Sequence, residues 1–138
     1  MTEPSSRFRW WTVVTACVIA EIVPVLLLIV FVVLYSLIRN DDSLSPEEFA
    51  PIAGNWVGPI GGFVVTGLRG FWAGRRAGSK PLQHGVAVGI GTALLDIVIA
   101  TGLTGELPLS GLLVVSNVGR IIAGSVGGLL AGRSQRVG

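Results

Sequence analysis

The sequence predicts an all-α integral membrane protein of four transmembrane helices, and three observations carry that expectation. Hydrophobic residues make up 51 % of the 138-residue chain and charged residues 13 %, with a mean hydropathy of +0.74. Water-soluble domains carry far more charge. All twenty glycines lie between Gly54 and Gly138, many of them four residues apart within apolar stretches. The basic residues stand in short clusters at the ends of those stretches.

Glycine weakens a water-exposed helix by about 1 kcal/mol relative to alanine. In lipid the backbone satisfies its own hydrogen bonds, and small residues four apart let helices approach closely. The rows are Gly54, Gly58 and Gly62; Gly70, Gly74 and Gly78; and Gly124, Gly128 and Gly132. They predict tight glycine-mediated packing in a single membrane domain, residues 1–138. Each four-residue step turns the row further round the helix, about 240° from Gly54 to Gly78. One neighbour cannot follow that drift, so the second span is expected to lie centrally and to touch different helices with its two halves.

The first span covers 10–38, enough to cross a hydrocarbon core of about 30 Å with room to tilt. It is far longer than the apolar core of a signal peptide, about 7–15 residues, and reads as a retained anchor. Ser45-Pro46-Glu47-Glu48 then supplies an N-cap, a proline at the first helical position and a capping-box glutamate. An unbroken helix from Pro46 to Gly78 would be about 50 Å long. With Pro51, Gly54 and Pro59 inside it, a break is expected: a short interfacial helix at 46–53, then a span at 55–75 closed by Gly78. Pro81 opens the third span, 82–103, and Pro108 the fourth, 109–131.

Arg7 and Arg9 precede the first span, Arg69, Arg75, Arg76 and Lys80 surround the middle loop, and Arg133 and Arg136 follow the fourth span. The other two loops hold Arg39 against Asp41, Asp42, Glu47, Glu48 and Glu106. By the positive-inside rule both termini and the middle loop are cytoplasmic, in a multi-pass protein of the cell's inner (plasma) membrane. A repeat at an offset of 58 residues aligns 61–76 with 119–134, both carrying Gly-x-x-Ala-Gly-Arg. It reads as two helical hairpins related by an axis along the membrane normal.

Three ionisable residues fall deep within the spans: Glu21, Asp96 and Arg120. Counted from the helix ends at about 1.5 Å per residue, they share one level near mid-bilayer. Each costs about 2.5–3.5 kcal/mol if it faces lipid, so they are expected to turn inward and meet. Asn117, one turn before Arg120, can join them. Two readings stay open: Arg120 is a structural bridge between the acids, or the surplus carboxylate exchanges a proton or holds a cation. At the cytoplasmic end, Arg69, Arg75, Arg76, Lys80 and His84 satisfy the topology rule and are candidate contacts for anionic lipid.

Other chemistries find no footing. The basic clusters follow topology and not a nucleic-acid face. The single cysteine, Cys17, excludes an intrachain disulfide and a thiolate metal site, and one histidine makes no metal centre. Gly85-x-x-x-Gly89-x-Gly91 lies inside an apolar span with no preceding strand, so it is no dinucleotide fingerprint. No cofactor, no metal and no catalytic activity are expected.

The glycine rows, the Ala-Gly-Arg endings at 73–75 and 131–133 and the short loops resemble small glycine-rich four-span bacterial membrane proteins of unassigned function. Ala20-Glu21 in a first helix of a chain this size is also similar to the small multidrug resistance transporters. That resemblance implies a glutamate that binds protons and cationic drugs alternately. Arg120 and the strong charge bias depart from that family. The function expected is an assembly or accessory subunit, self-associated or bound to a membrane-protein partner among the lipids. The alternative is a small proton- or cation-coupled transporter or channel using Glu21 and Asp96.

Overall fold

The computed structural model describes residues 8–40, 44–106 and 110–137, without the side chains of Thr104 and Val137. Arg7, Asp41, Asp42, Pro108 and Leu109, which entered the sequence reading, lie outside the described residues. The described chain forms α1 (Trp10–Ile38), α2 (Pro46–Ala77), α3 (Pro81–Thr104) and α4 (Gly111–Val137).

Local chemistry sets the boundaries. Ser45 caps α2 through a complete capping box: its hydroxyl accepts from the Glu48 N–H at 3.3 Å, and Glu48 Oε2 accepts from the Ser45 N–H at 2.8 Å. These bonds hold the Glu48 carboxyl below the usual carboxylate range. Gly78, at φ 68°, ends α2, and Lys80, at φ 51°, precedes α3. Two left-handed residues in three positions give the tight turn that reverses the chain.

One expectation is overturned. Helix α2 runs unbroken for 32 residues, with no separate interfacial helix at 46–53. Each internal proline deletes one donor but keeps a helical φ, so Pro51 and Pro59 leave single carbonyls without their i+4 partner and do not end the helix. Pro24 does the same inside α1. Among the described residues three helical segments are long and apolar enough to cross a membrane: Trp10–Ile38, Pro81–Leu103 and Gly111–Arg136. Helix α2 is not among them, because glycines, prolines, Asn55 and terminal charges dilute its apolar content.

The packing is inverted relative to a water-soluble bundle. The largest fully buried side chains are only His84, Val88, Thr66 and Thr92, while Leu, Ile, Val and Phe side chains are exposed along every helix. Helix α2 packs against the other three, α4 packs against α2 and α3, and the backbones of α1 and α4 do not approach. Glycines stand where the helices come close. A Cβ at Gly61 would lie 3.6 Å from Pro24 of α1, and one at Gly70 3.0 Å from the Gly124 Cα of α4. A Cβ at Gly89 would lie 2.8 Å from the Ile121 Cα, at the contact of α3 with α4.

Helix α1 buries Val13, Ala16, Cys17, Ala20, Glu21 and Pro24, a stripe at helical spacing confined to its first half. Its second half is tied to α2 by Tyr35, which stacks on Phe49 at 3.8 Å and donates a hydrogen bond to the Leu44 carbonyl at 3.0 Å. The ends of the bundle differ in charge. The α2–α3 turn lies with the start of α1 and the end of α4 at a basic end, where Arg9 Nη1 donates to the Arg76 carbonyl at 3.1 Å.

Candidate functional site

Arg120 projects from α4 towards α1, although those two backbones are not in contact. Its path crosses α2 at Gly62, where a Cβ would lie 2.8 Å from both Nε and Nη2. Through that gap Nη1 donates to Glu21 Oε1 of α1, while Nη2 lies 3.3 Å from Asp96 Oδ1 of α3. Three charges from three helices therefore meet against a fourth helix that supplies only the absence of a side chain.

The two acids are held differently. The Arg120 side chain is 4 % exposed, Glu21 10 % and Asp96 22 %. The Glu21–Arg120 pair is thus largely buried, with Glu21 behind the guanidinium, while Arg120 and Asp96 both line a cleft of about 170 Å³ with Ser110, Ser116, Gly58 and Pro59. The cleft lies on the side of the cluster towards the start of α4. With both carboxylates ionised the cluster carries one net negative charge, and Asp96 is the more open of the two acids.

Asn117, one turn before Arg120 on α4, is buried, but among the described residues its Oδ1 has no hydrogen-bond partner, and neither do Arg120 Nε and Thr66 Oγ1. The expected link from Asn117 to the charges is therefore not made through that oxygen. Such orphaned atoms are uncommon in native interiors and are costly in a low-dielectric setting.

At the basic end His84 is 1 % exposed, away from the surface where a headgroup contact would need it. Its Nε2 accepts from the Arg9 backbone N–H at 3.2 Å, its Nδ1 lies 3.1 Å from the Lys80 carbonyl, and Phe8 stacks on the ring at 4.2 Å. A backbone N–H can only donate, so Nδ1 carries the proton in this arrangement. Arg69 and Arg76 lie 5.9 and 5.3 Å from the Trp72 ring centre, and Arg75 lies 5.8 Å from that of Phe71. Lys80 is exposed.

Sequence reasoning did not find Gly62 as the passage for Arg120, nor the Phe8–His84 cap. The only available signal for the first was the position of Gly62 in a row already assigned to helix contacts. No group of three or more His, Cys, Asp or Glu side chains able to hold a metal ion comes together among the described residues. The chain matches no protein-family model, no curated protein and no solved structure.

Proposed function

We propose that the chain is a four-span bundle of the inner (plasma) membrane with both termini in the cytoplasm, acting as a self-associating or partner-bound assembly or accessory subunit. In this reading α2 also crosses, as the second of the four spans. Alone it is too polar, but within the bundle neighbouring helices cover Ala53, Gly62, Thr66, Gly70, Ala73 and Gly74, while Asn55 stays exposed nearer its start. Glycine-mediated contacts hold it there, between α1 on one side and α4 on the other.

The observation that carries the reading is the largely buried Glu21–Arg120 pair. A transport site needs water at least part of the time, and Glu21 lies behind the guanidinium, with its side chain only 10 % exposed. It acts as a lock that fixes the rotation and depth of α1 against α4. What remains for interaction is the apolar exterior, including the α2–α4 groove walled by Phe63, Leu68, Val126 and Leu130. In lipid such a face associates with another helix by close packing. The test is disulfide cross-linking of Val126→Cys in native membranes, with Cys17→Ala as background. A homodimer or a single defined adduct supports the reading, and monomer alone contradicts association through this groove.

A second reading is favoured by one observation, the partly open Asp96 in its cleft. There the surplus acid takes up a proton or cation from the side opposite the basic end. Proton-coupled flux in proteoliposomes, abolished by Asp96→Asn and retained by a fold-neutral control, would establish it.

A further inference from the structure

A groove of about 440 Å³ lies between α3 and α4 at the basic end. Its floor is backbone and proline ring: a Cβ at Gly128 would meet the Pro81 carbonyl oxygen at 2.7 Å, and one at Gly132 the Pro81 Cγ at 3.1 Å. Leu82 and Leu129 wall it, both exposed and continuous with the apolar exterior. Lys80, Arg133 and Arg136 stand at its mouth, all exposed. Arg133 and Arg136 are three apart on one helix and share a face.

None of these three cations makes an ion pair among the described residues. The described acids, Glu21, Glu47, Glu48, Asp96 and Glu106, lie at mid-bundle or towards the other end. Nor does an aromatic ring occupy them, in contrast to Arg69, Arg75 and Arg76. Gln135, which donates to the Gly74 and Arg75 carbonyls at 3.3 and 3.1 Å, ties the end of α4 to α2 and leaves the α3 side of α4 open.

We propose that this groove binds an anionic phospholipid whose headgroup carries two phosphates. The phosphates lie among Lys80, Arg133 and Arg136, and the acyl chains run along Leu82 and Leu129. An apolar slot with a cationic mouth fits an amphiphile, where a soluble anion would use only the mouth. Three unpaired cations match a doubly charged headgroup better than a singly charged one, and basic pockets between helices are where such headgroups bind. The inference rests on the membrane placement proposed above.

The test uses the full chain purified in neutral detergent, with cardiolipin, phosphatidylglycerol, phosphatidylcholine and inorganic pyrophosphate as probes. Native mass spectrometry reads retained lipid, and flotation with phosphatidylcholine vesicles reads membrane association. Cardiolipin should bind tightest and phosphatidylcholine weakest. Each cation beside an anionic headgroup contributes about fivefold in affinity, so Arg133→Gln with Arg136→Gln should weaken cardiolipin binding about thirtyfold. Lys80→Gly should weaken it about fivefold. The φ of 51° at that position suits glycine, so the turn survives. Arg39→Gln, at the other end of the bundle, should change nothing.

Equal cardiolipin binding by these variants and the parent would overturn the site. So would equal retention of phosphatidylcholine, or displacement of the lipid by pyrophosphate at matching affinity. Failure to float with the phosphatidylcholine vesicles would overturn the membrane placement itself, whereas flotation with no headgroup preference among the retained lipids would overturn only the groove.

Discussion

Gly62 and Arg120 occupy one space: a Cβ on the first would stand 2.8 Å from the Nε and Nη2 of the second. The guanidinium therefore reaches from α4 to α1 only because α2 presents no side chain at that level. Gly62→Ala must push Arg120 off its two carboxylates or force α2 outward. The expected loss is about 1–3 kcal/mol, the usual cost of overpacking a filled interior. Gly58→Ala, where a Cβ meets nothing within 4 Å, should instead leave stability unchanged or raise it by up to about 1 kcal/mol through helix propensity. Thermal unfolding in detergent reads both, and equal effects would remove the special role of position 62.

A second expectation concerns the contact of α3 with α4. A Cβ at Gly128 would meet the Pro81 carbonyl oxygen at 2.7 Å and the Gly85 Cα at 3.0 Å, both backbone atoms that cannot turn aside. Gly128→Leu should cost about 3 kcal/mol or more, because small-residue contacts in lipid have no hydrophobic term to fall back on. Parent-like stability and oligomer size in detergent would show that α4 adapts without loss.

Topology gives a third. Reporters fused after Arg136 and at Ser79 should both lie in the cytoplasm, and one at Ser43 outside, since eight of ten basic residues fall on one side. An external C-terminal reporter would mean that α2 does not cross, leaving three spans.

Water access separates the two acids. In a Cys17→Ala background, Asp96→Cys should react with a membrane-impermeant thiol reagent added from the outside, through the cleft at Ser110 and Ser116. Glu21→Cys, behind the guanidinium, should stay unmodified. Modification of Glu21→Cys would favour a wet transport site over a lock.

The positions of the helices were largely legible because their ends are written locally. Ser45 and Glu48 cap, Gly78 turns left-handed, and Pro81 starts α3. The depth of three lone charges could be counted along their helices, and the structure puts Arg120 between the two carboxylates. The continuity of α2 is not written locally, because Pro51 and Pro59 read as breakers until the neighbouring helices that hold α2 are in place. Gly62 was grouped with the contact glycines because its spacing is theirs. What distinguishes it is the rotation of α2 against a side chain from another helix, which no local pattern contains. His84 was misplaced for the same reason: Phe8 and Arg9, which cover it, are far away in sequence.

The lock itself is tested most directly by a double-mutant cycle between Arg120 and Glu21, read as unfolding free energy in detergent at neutral pH. Arg120→Leu leaves Glu21 buried and unpaired and should cost about 3–5 kcal/mol. Glu21→Leu should cost less, because Arg120 keeps Asp96 at 3.3 Å. The double substitution should recover much of the Arg120→Leu loss, since the remaining acid, Asp96, opens into its cleft. A coupling well above about 0.5 kcal/mol is the expected result. Additive single effects, or an Arg120→Leu protein as stable as the parent, would contradict the lock.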